Sequence, residues 1–175
     1  ETGHDVLAGA ALRHTLYEDN TPATADGPSE VWLPGLFVQD QMALNAQNTL
    51  LLGLRYDRNS VHGNIFTPRL NYKWNAADQW TVVRVSAGSG YRVANIFTED
   101  HAALTGARDV VVVSDLNPER SNNVNVNVVQ KWVGCRNGMV TLDGSAFYTH
   151  FNNKILPDYT TDPSQIIYDN LDGFA

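Results

Sequence analysis

Asn123-Val124-Asn125-Val126-Asn127-Val128 sets β-branched apolar residues at even positions and amides at odd ones. Successive strand side chains point to opposite faces, so this run forms a strand with one valine face and one asparagine face. A helix would scatter both sets around its circumference. Working outward, Val140, Leu142, Gly144, Ala146 and Tyr148 repeat the pattern against Thr141, Asp143, Ser145 and Thr149, with Phe147 as the exception. Leu50, Leu52, Leu54 and Tyr56 oppose Thr49, Gly53, Arg55 and Asp57; Leu70, Tyr72 and Trp74 oppose Arg69, Asn71 and Lys73. Val83, Val85 and Ala87 oppose Arg84 and Ser86, and near the start Val6, Ala8, Ala10 and Leu12 oppose Gly9 and Arg13. Residues 32–44 also read as extended, although their parity is muddled and Pro34 weakens the strand.

Connections of two lengths separate these runs. Residues 45–48, 75–79 and 134–138 are short and rich in Asn, Asp and Gly, as tight turns require. Residues 18–30, 58–65, 91–115 and 153–165 read as longer connections. Short and long ones alternate, which predicts an all-β, antiparallel up-and-down meander with every short turn at one end. Trp74 and Trp80 flank one short turn, and Trp132 precedes another.

Composition narrows the class further. The chain has 175 residues, 12 Lys+Arg against 19 Asp+Glu and a net charge of −7, a balance that argues against a phosphate-binding surface and hence against nucleic acid. With 43% hydrophobic and 18% charged residues it is neither a disordered acidic tail nor a coiled coil. Cys135 is the single cysteine, so no internal disulfide framework or multi-thiolate zinc site forms, and in a short turn it reads as a free, incidental thiol. No apolar stretch is long enough for a transmembrane helix, and the first residues lack the basic-then-apolar pattern of a signal peptide. A membrane β-barrel, whose strands carry a weak hydropathy signal, remains open.

Alternation alone fits two classes. A soluble β-sandwich would bury the aliphatic faces, and Trp74, Trp80 and Trp132 would then serve as platforms for a ligand such as carbohydrate. A transmembrane barrel would turn Val124, Val126 and Val128 toward lipid, with Trp74, Trp80 and Trp132 in an aromatic girdle. The polar rows are Asn, Ser, Thr, Gly and Arg rather than the Lys and Glu of a solvated sandwich surface, and this, with the loop rhythm, favours the barrel. Arg55, Arg69, Lys73, Arg84, Asn123, Asn125 and Asn127 then face the lumen, because a midplane Arg or Lys facing lipid costs about 2–4 kcal/mol.

The order of several short segments resembles the barrel of TonB-dependent outer-membrane receptors. They are Leu36-Phe37-Val38-Gln39-Asp40-Gln41, Leu52-Gly53-Leu54-Arg55-Tyr56-Asp57, Phe66-Thr67-Pro68-Arg69-Leu70-Asn71, 86–94 (SAGSGYRVA), Leu116-Asn117-Pro118-Glu119-Arg120-Ser121 and 144–155 (GSAFYTHFNNKI). The resemblance implies that residues 1–175 are one partial barrel domain, about seven to eight of 22 strands, in a Gram-negative outer membrane. It implies uptake of a chelated metal of siderophore type, or a vitamin such as cobalamin, without enzymatic activity or cofactor; a passive porin-like barrel is the plugless alternative. Partners would be the rest of the barrel, its plug domain packed on the lumen-facing row, TonB through a region N-terminal to this piece, a small-molecule ligand and membrane lipid. The plug, the TonB-contacting box and the closing strand are not visible in the sequence, and Phe174-Ala175 does not match the closing pattern.

Candidate ligand contacts lie in the two last long connections: Arg92, Asn95, Glu99, Asp100, His101 and Arg108, then Asp158 and Tyr159, since loops on a rigid scaffold often carry recognition. Glu99-Asp100-His101 suits no metal, because three consecutive residues seldom converge on one ion. Asp169–Gly173 lacks calcium-loop spacing. No Gly-x-Ser-x-Gly elbow or phosphate-cradling glycine loop occurs.

Overall fold

The structure, a computed structural model, describes residues 3–18, 27–93, 108–112, 116–134 and 138–174. Nine strands occur among them: β1 (Gly3–Tyr17), β2 (Ser29–Ala43), β3 (Asn48–Asn59), β4 (Gly63–Asn75), β5 (Thr81–Arg92), β6 (Asp109–Val112), β7 (Glu119–Val133), β8 (Met139–Asp158) and β9 (Gln165–Phe174). They form one sheet in the order β1-β2-β3-β4-β5-β7-β8-β9-β6. All neighbours are antiparallel except β6, which pairs parallel with β9.

The register extends the alternation of single strands into rows across the sheet. Ala8 stands opposite Val38, Val38 opposite Leu54, and Leu54 opposite Pro68. Leu70 faces Ala87, Ala87 faces Val124 and Val124 faces Tyr148. The polar row runs Gln39, Gly53, Arg69, Gly88, Asn123, Thr149. A one-residue slip would send every side chain to the wrong face, so the pattern fixes the register.

The aliphatic face is not sealed in a core. Leu36 is 60% exposed, Val126 39% and Leu142 61%, and the buried hydrophobic residues among those described are Leu33, Ile65, Ile166 and Tyr168. A soluble sandwich would have hidden these rows, because burial of apolar area is its main stabilising term. The strands are also staggered. Trp74 and Val83 abut the β4–β5 turn, yet Val128, the partner of Val83, sits well inside β7. Such stagger accompanies the tilted strands of a barrel.

Two devices explain the muddled parity of 32–44, which is nonetheless strand β2. Asp40 falls on the aliphatic face, where its Oδ2 lies 2.7 Å from His4 Nδ1. Phe37 falls on the polar face opposite Gly9, where a Cβ on the glycine would come within 2.6 Å of the ring. Pro34 is tolerated because pairing with β3 begins at Gly35, so no β3 residue stands across from it.

Four expectations require correction. Residues 58–65 are not a long connection: Asn59 pairs with Gly63 and a tight turn joins β3 to β4, so long and short connections do not strictly alternate. The Asn59 carboxamide accepts the N–H groups of Val61 at 2.8 Å and His62 at 3.0 Å, and Gly63 takes φ +76°. The connection after β8 is 159–164 rather than 153–165, because the strand continues to Asp158 past a register shift between Phe151 and Lys154. The 91–115 connection gives Tyr91 and Arg92 to β5 and contains β6. Finally, nine strands occur among the described residues, against the seven to eight expected.

Candidate functional site

Arg55, Arg69, Lys73, Arg84, Asn123, Asn125 and Asn127 occupy one face of the sheet, opposite Val124, Val126 and Val128. Hydrogen bonds cross the strands on this polar face. Arg84 Nη1 donates to Asn127 Oδ1 at 3.0 Å, Asn127 Nδ2 donates to Asp143 Oδ1 at 2.6 Å and Ser145 Oγ at 2.9 Å, and Asn123 Nδ2 donates to Thr149 Oγ1 at 2.7 Å. Arg55 meets Asp57 in a two-point pair, Nε to Oδ2 and Nη2 to Oδ1, each 2.7 Å. A hollow of about 300 Å³ lies beside this pair, lined by Phe37, Gln39, Gly53, Arg55, Arg69 and Gly88. Glycine at 53 and 88 keeps its floor open.

The loop end is knitted by side chains. Arg92 Nε donates to Glu119 Oε2 at 2.7 Å, and the other carboxylate oxygen accepts the Ile155 N–H at 3.0 Å. Backbone pairing of β7 with β8 stops at Ser121–Phe151, so Glu119 serves a donor that the ladder has left behind. Asn170 accepts from the Asn117 N–H at 2.9 Å and donates to the carbonyls of Asn117 at 3.1 Å and Asn153 at 2.9 Å. Ile166 and Tyr168 of β9 pack with Val110, Leu116 and Ile155, which fastens β6 and Leu116 to the wall.

The candidate ligand contacts divide accordingly. Arg108 and Tyr159 come together, Arg108 Nη1 donating to the Tyr159 carbonyl at 3.3 Å. Arg92 belongs to the Glu119 pair. Asp158 accepts from the N–H and hydroxyl of Thr160 at 2.7 and 2.8 Å and from the Thr161 N–H at 3.1 Å, so it caps its own turn. Asp162 does likewise: the Ser164 hydroxyl and N–H hold its carboxyl below the ordinary range. Asn95, Glu99, Asp100 and His101 lie outside the described residues, as does Cys135. Among the described residues no group of three His, Cys, Asp or Glu side chains is arranged to hold a metal ion.

Trp74 and Trp80 are half-buried and Trp132 is exposed, all near the turn end. At the opposite end sequence reading missed a second aromatic set. Trp32 stacks on His14 with ring centroids 4.1 Å apart, its indole N–H donates to Glu30 at 3.0 Å, and Tyr56 packs on Phe66 at 4.9 Å. On β4, Phe66 and Trp74 share a face and bracket roughly 27 Å of strand at about 3.4 Å per residue. An apolar band about 25 Å tall between aromatic girdles marks a transmembrane barrel.

An antiparallel meander, joined by one short parallel strand, with a bare aliphatic face, a hydrogen-bonded polar face and aromatic residues at both ends is a section of wall from a membrane β-barrel. The sequence model of the "TonB dependent receptor-like, beta-barrel" family matches residues 3–173, and the chain belongs to that family, which places it in an outer membrane. An iron-regulated outer membrane virulence protein of Vibrio cholerae is 27% identical over 158 residues, 87% of this chain and 23% of that protein. The fold matches the siderophore receptor PirA of Pseudomonas aeruginosa with TM-score 0.75 and 17% identity over 98% of this chain and 35% of that one. A variant of the ferric enterobactin receptor PfeA from the same species, in complex with enterobactin, matches with TM-score 0.72 and 16% identity over 99% of this chain and 30% of that one. The chain therefore spans about a quarter of the curated relative and about a third of the solved receptors.

Proposed function

We propose that the chain is a wall segment, with part of the outer rim, of a receptor that captures a scarce chelated nutrient outside the cell and imports it with energy relayed by TonB. The observation that carries this reading is the exposed aliphatic face of Val124, Val126 and Val128 backed by the polar face of Arg69, Arg84, Asn123, Asn125 and Asn127; in the proposed receptor the first meets lipid and the second faces a wet lumen that houses the plug. Trp74, Trp80 and Trp132 anchor the wall at the periplasmic interface. The loop end, which carries the Arg92–Glu119 pair and the Arg108–Tyr159 contact, faces outward. It is a framework for ligand capture.

A ferric siderophore is the preferred ligand class, since the relatives are named for iron regulation, siderophores and enterobactin. Cobalamin is the alternative cargo. Deleting the gene and growing the strain on single ferric chelates and on cobalamin tests the assignment. Loss of growth on one ferric siderophore, restored by a plasmid copy, supports it; a cobalamin-specific defect moves the cargo to the vitamin, and normal growth on every source contradicts uptake.

A further inference from the structure

β6 takes an edge that the wall itself needs. β9 has β8 on one side; on the other, its outer residues Gln165–Tyr168 carry β6 in parallel register, Asp109 across from Gln165 and Val112 across from Tyr168. From Asp169 onward that edge has no partner among the described residues. In a closed barrel the whole edge belongs to the strand that follows, because no ladder group is left bare in lipid. Parallel ladders are slightly weaker per residue than antiparallel ones, so on backbone bonds alone β6 would yield the edge to an incoming hairpin neighbour. Side chains reverse that balance. Ile166 and Tyr168 are 1% and 2% exposed and pack with Val110, Leu116 and Ile155. Stripping β6 away would return this apolar surface to water. Polar contacts fix its start, where the Asp109 N–H donates to the Ser164 carbonyl at 3.0 Å and Arg108 reaches the Tyr159 carbonyl. Beyond β6, Asn117 exchanges two hydrogen bonds with Asn170, at 2.9 and 3.1 Å. The chain thus grips β9 along its edge and again at Asn170.

We infer that β6 is a permanent element of the wall: it keeps the Gln165–Tyr168 edge in the whole receptor, and the strand that follows β9 joins it only from Asp169 onward. The occupant of that lower edge is a segment of the receptor outside residues 1–175. At this seam the outer lip is closed by a strand from the connection between β5 and β7, which acts as a clasp on β9, rather than by the hairpin neighbour. The inference rests on the reading of the chain as a section of closed barrel.

The test uses the full-length receptor in native outer membranes, with the photo-crosslinking amino acid p-benzoylphenylalanine at Ile167 in one protein and at Asp169 in another. Ile167 stands across from Val111 and is only half-buried, and Asp169 is the first residue of β9 beyond β6. After trypsin, the Ile167 adduct is expected to carry residues 109–120, which follow Arg108 and end at Arg120, and the Asp169 adduct a peptide from beyond residue 175. Val110→Asp should remove most of the Ile167 adduct and leave the Asp169 adduct in place, since Val110 packs in the Ile166–Tyr168 cluster. Should that variant fail to reach the membrane, the map obtained with Val110 in place decides the matter. An Ile167 adduct with a peptide from beyond residue 175, no adduct to 109–120, or a yield indifferent to Val110→Asp would overturn the clasp, while a downstream peptide at Asp169 keeps the barrel reading standing. Lipid adducts, or none, at Asp169 would contradict the closed wall and the inference with it.

Discussion

Arg55 and Asp57, two residues apart on β3, close a flat two-point ion pair over Gly35 of the neighbouring strand, with both N–O distances at 2.7 Å. Asp57 is fully buried at 0% exposure, and the guanidinium gives each of its carboxylate oxygens a hydrogen bond. A Cβ at position 35 would come within 2.1 Å of Asp57 Oδ1. Glycine is what allows the carboxylate to lie flat on β2.

Gly35→Ala should therefore displace the Asp57 carboxylate and lower stability by about 1–3 kcal/mol, the usual range for overpacking. Gly53→Ala is the control, since its Cβ would meet nothing closer than 3.5 Å. The loss of heat-modifiable gel mobility of the full-length receptor gives the comparison. Equal midpoints for the two variants would refute this role for Gly35.

The tight turn between β3 and β4 depends on the Asn59 carboxamide, which gathers two N–H groups. Asn59→Ala should destabilise by about 1 kcal/mol, the net worth of such bonds where water can take over the freed donors. Hydrogen exchange is expected to quicken at Val61 and His62 and to stay unchanged at the 44–47 turn.

Burial holds the His62 imidazole below its ordinary pKa of 6.5. Above that pH both folded and unfolded chains carry a neutral ring and the group is silent. As pH falls through 6.5 the unfolded chain binds the proton first, so stability drops until the folded ring protonates at lower pH. The unfolding midpoint of the receptor should fall between pH 7.5 and 5, and by less in His62→Gln; identical slopes would contradict this.

Opposite faces of β7 should respond oppositely to charge. Val126→Arg is expected to cost about 2–4 kcal/mol if the residue meets lipid near the midplane, whereas Asn125→Arg should change little. Folded yield on insertion into phospholipid vesicles measures both.

The strands and their two faces were legible because period-2 alternation is written locally, as at Asn123–Val128. Features that depend on distant partners were not. β6 is four residues of a long connection that become a strand by pairing with Gln165–Tyr168, more than fifty positions away. The tail of β8 hid because the shift after Phe151 breaks its parity and Pro157 reads as a turn. Asp57 looked like any residue of a solvated row, although an opposite charge at spacing two, Arg55, was a signal available in the sequence. The turn at 60–62 carried its own marks, Asn59 and Gly63, which were absorbed into an apparent long connection. At the loop end, Glu119 and Asn170 act on backbone groups of other strands, and no local pattern announces such roles.

The direction in which the aliphatic rows point decides between a membrane wall and a sealed core. Nitroxide labels at position 126 or 125, in a full-length receptor whose Cys135 is replaced by serine, report this through relaxation by oxygen and by a water-soluble nickel chelate. The label at 126 should be relaxed by oxygen and shielded from nickel, and the label at 125 should show the reverse. Nickel access at 126 together with oxygen-dominated relaxation at 125 would contradict the membrane-wall reading.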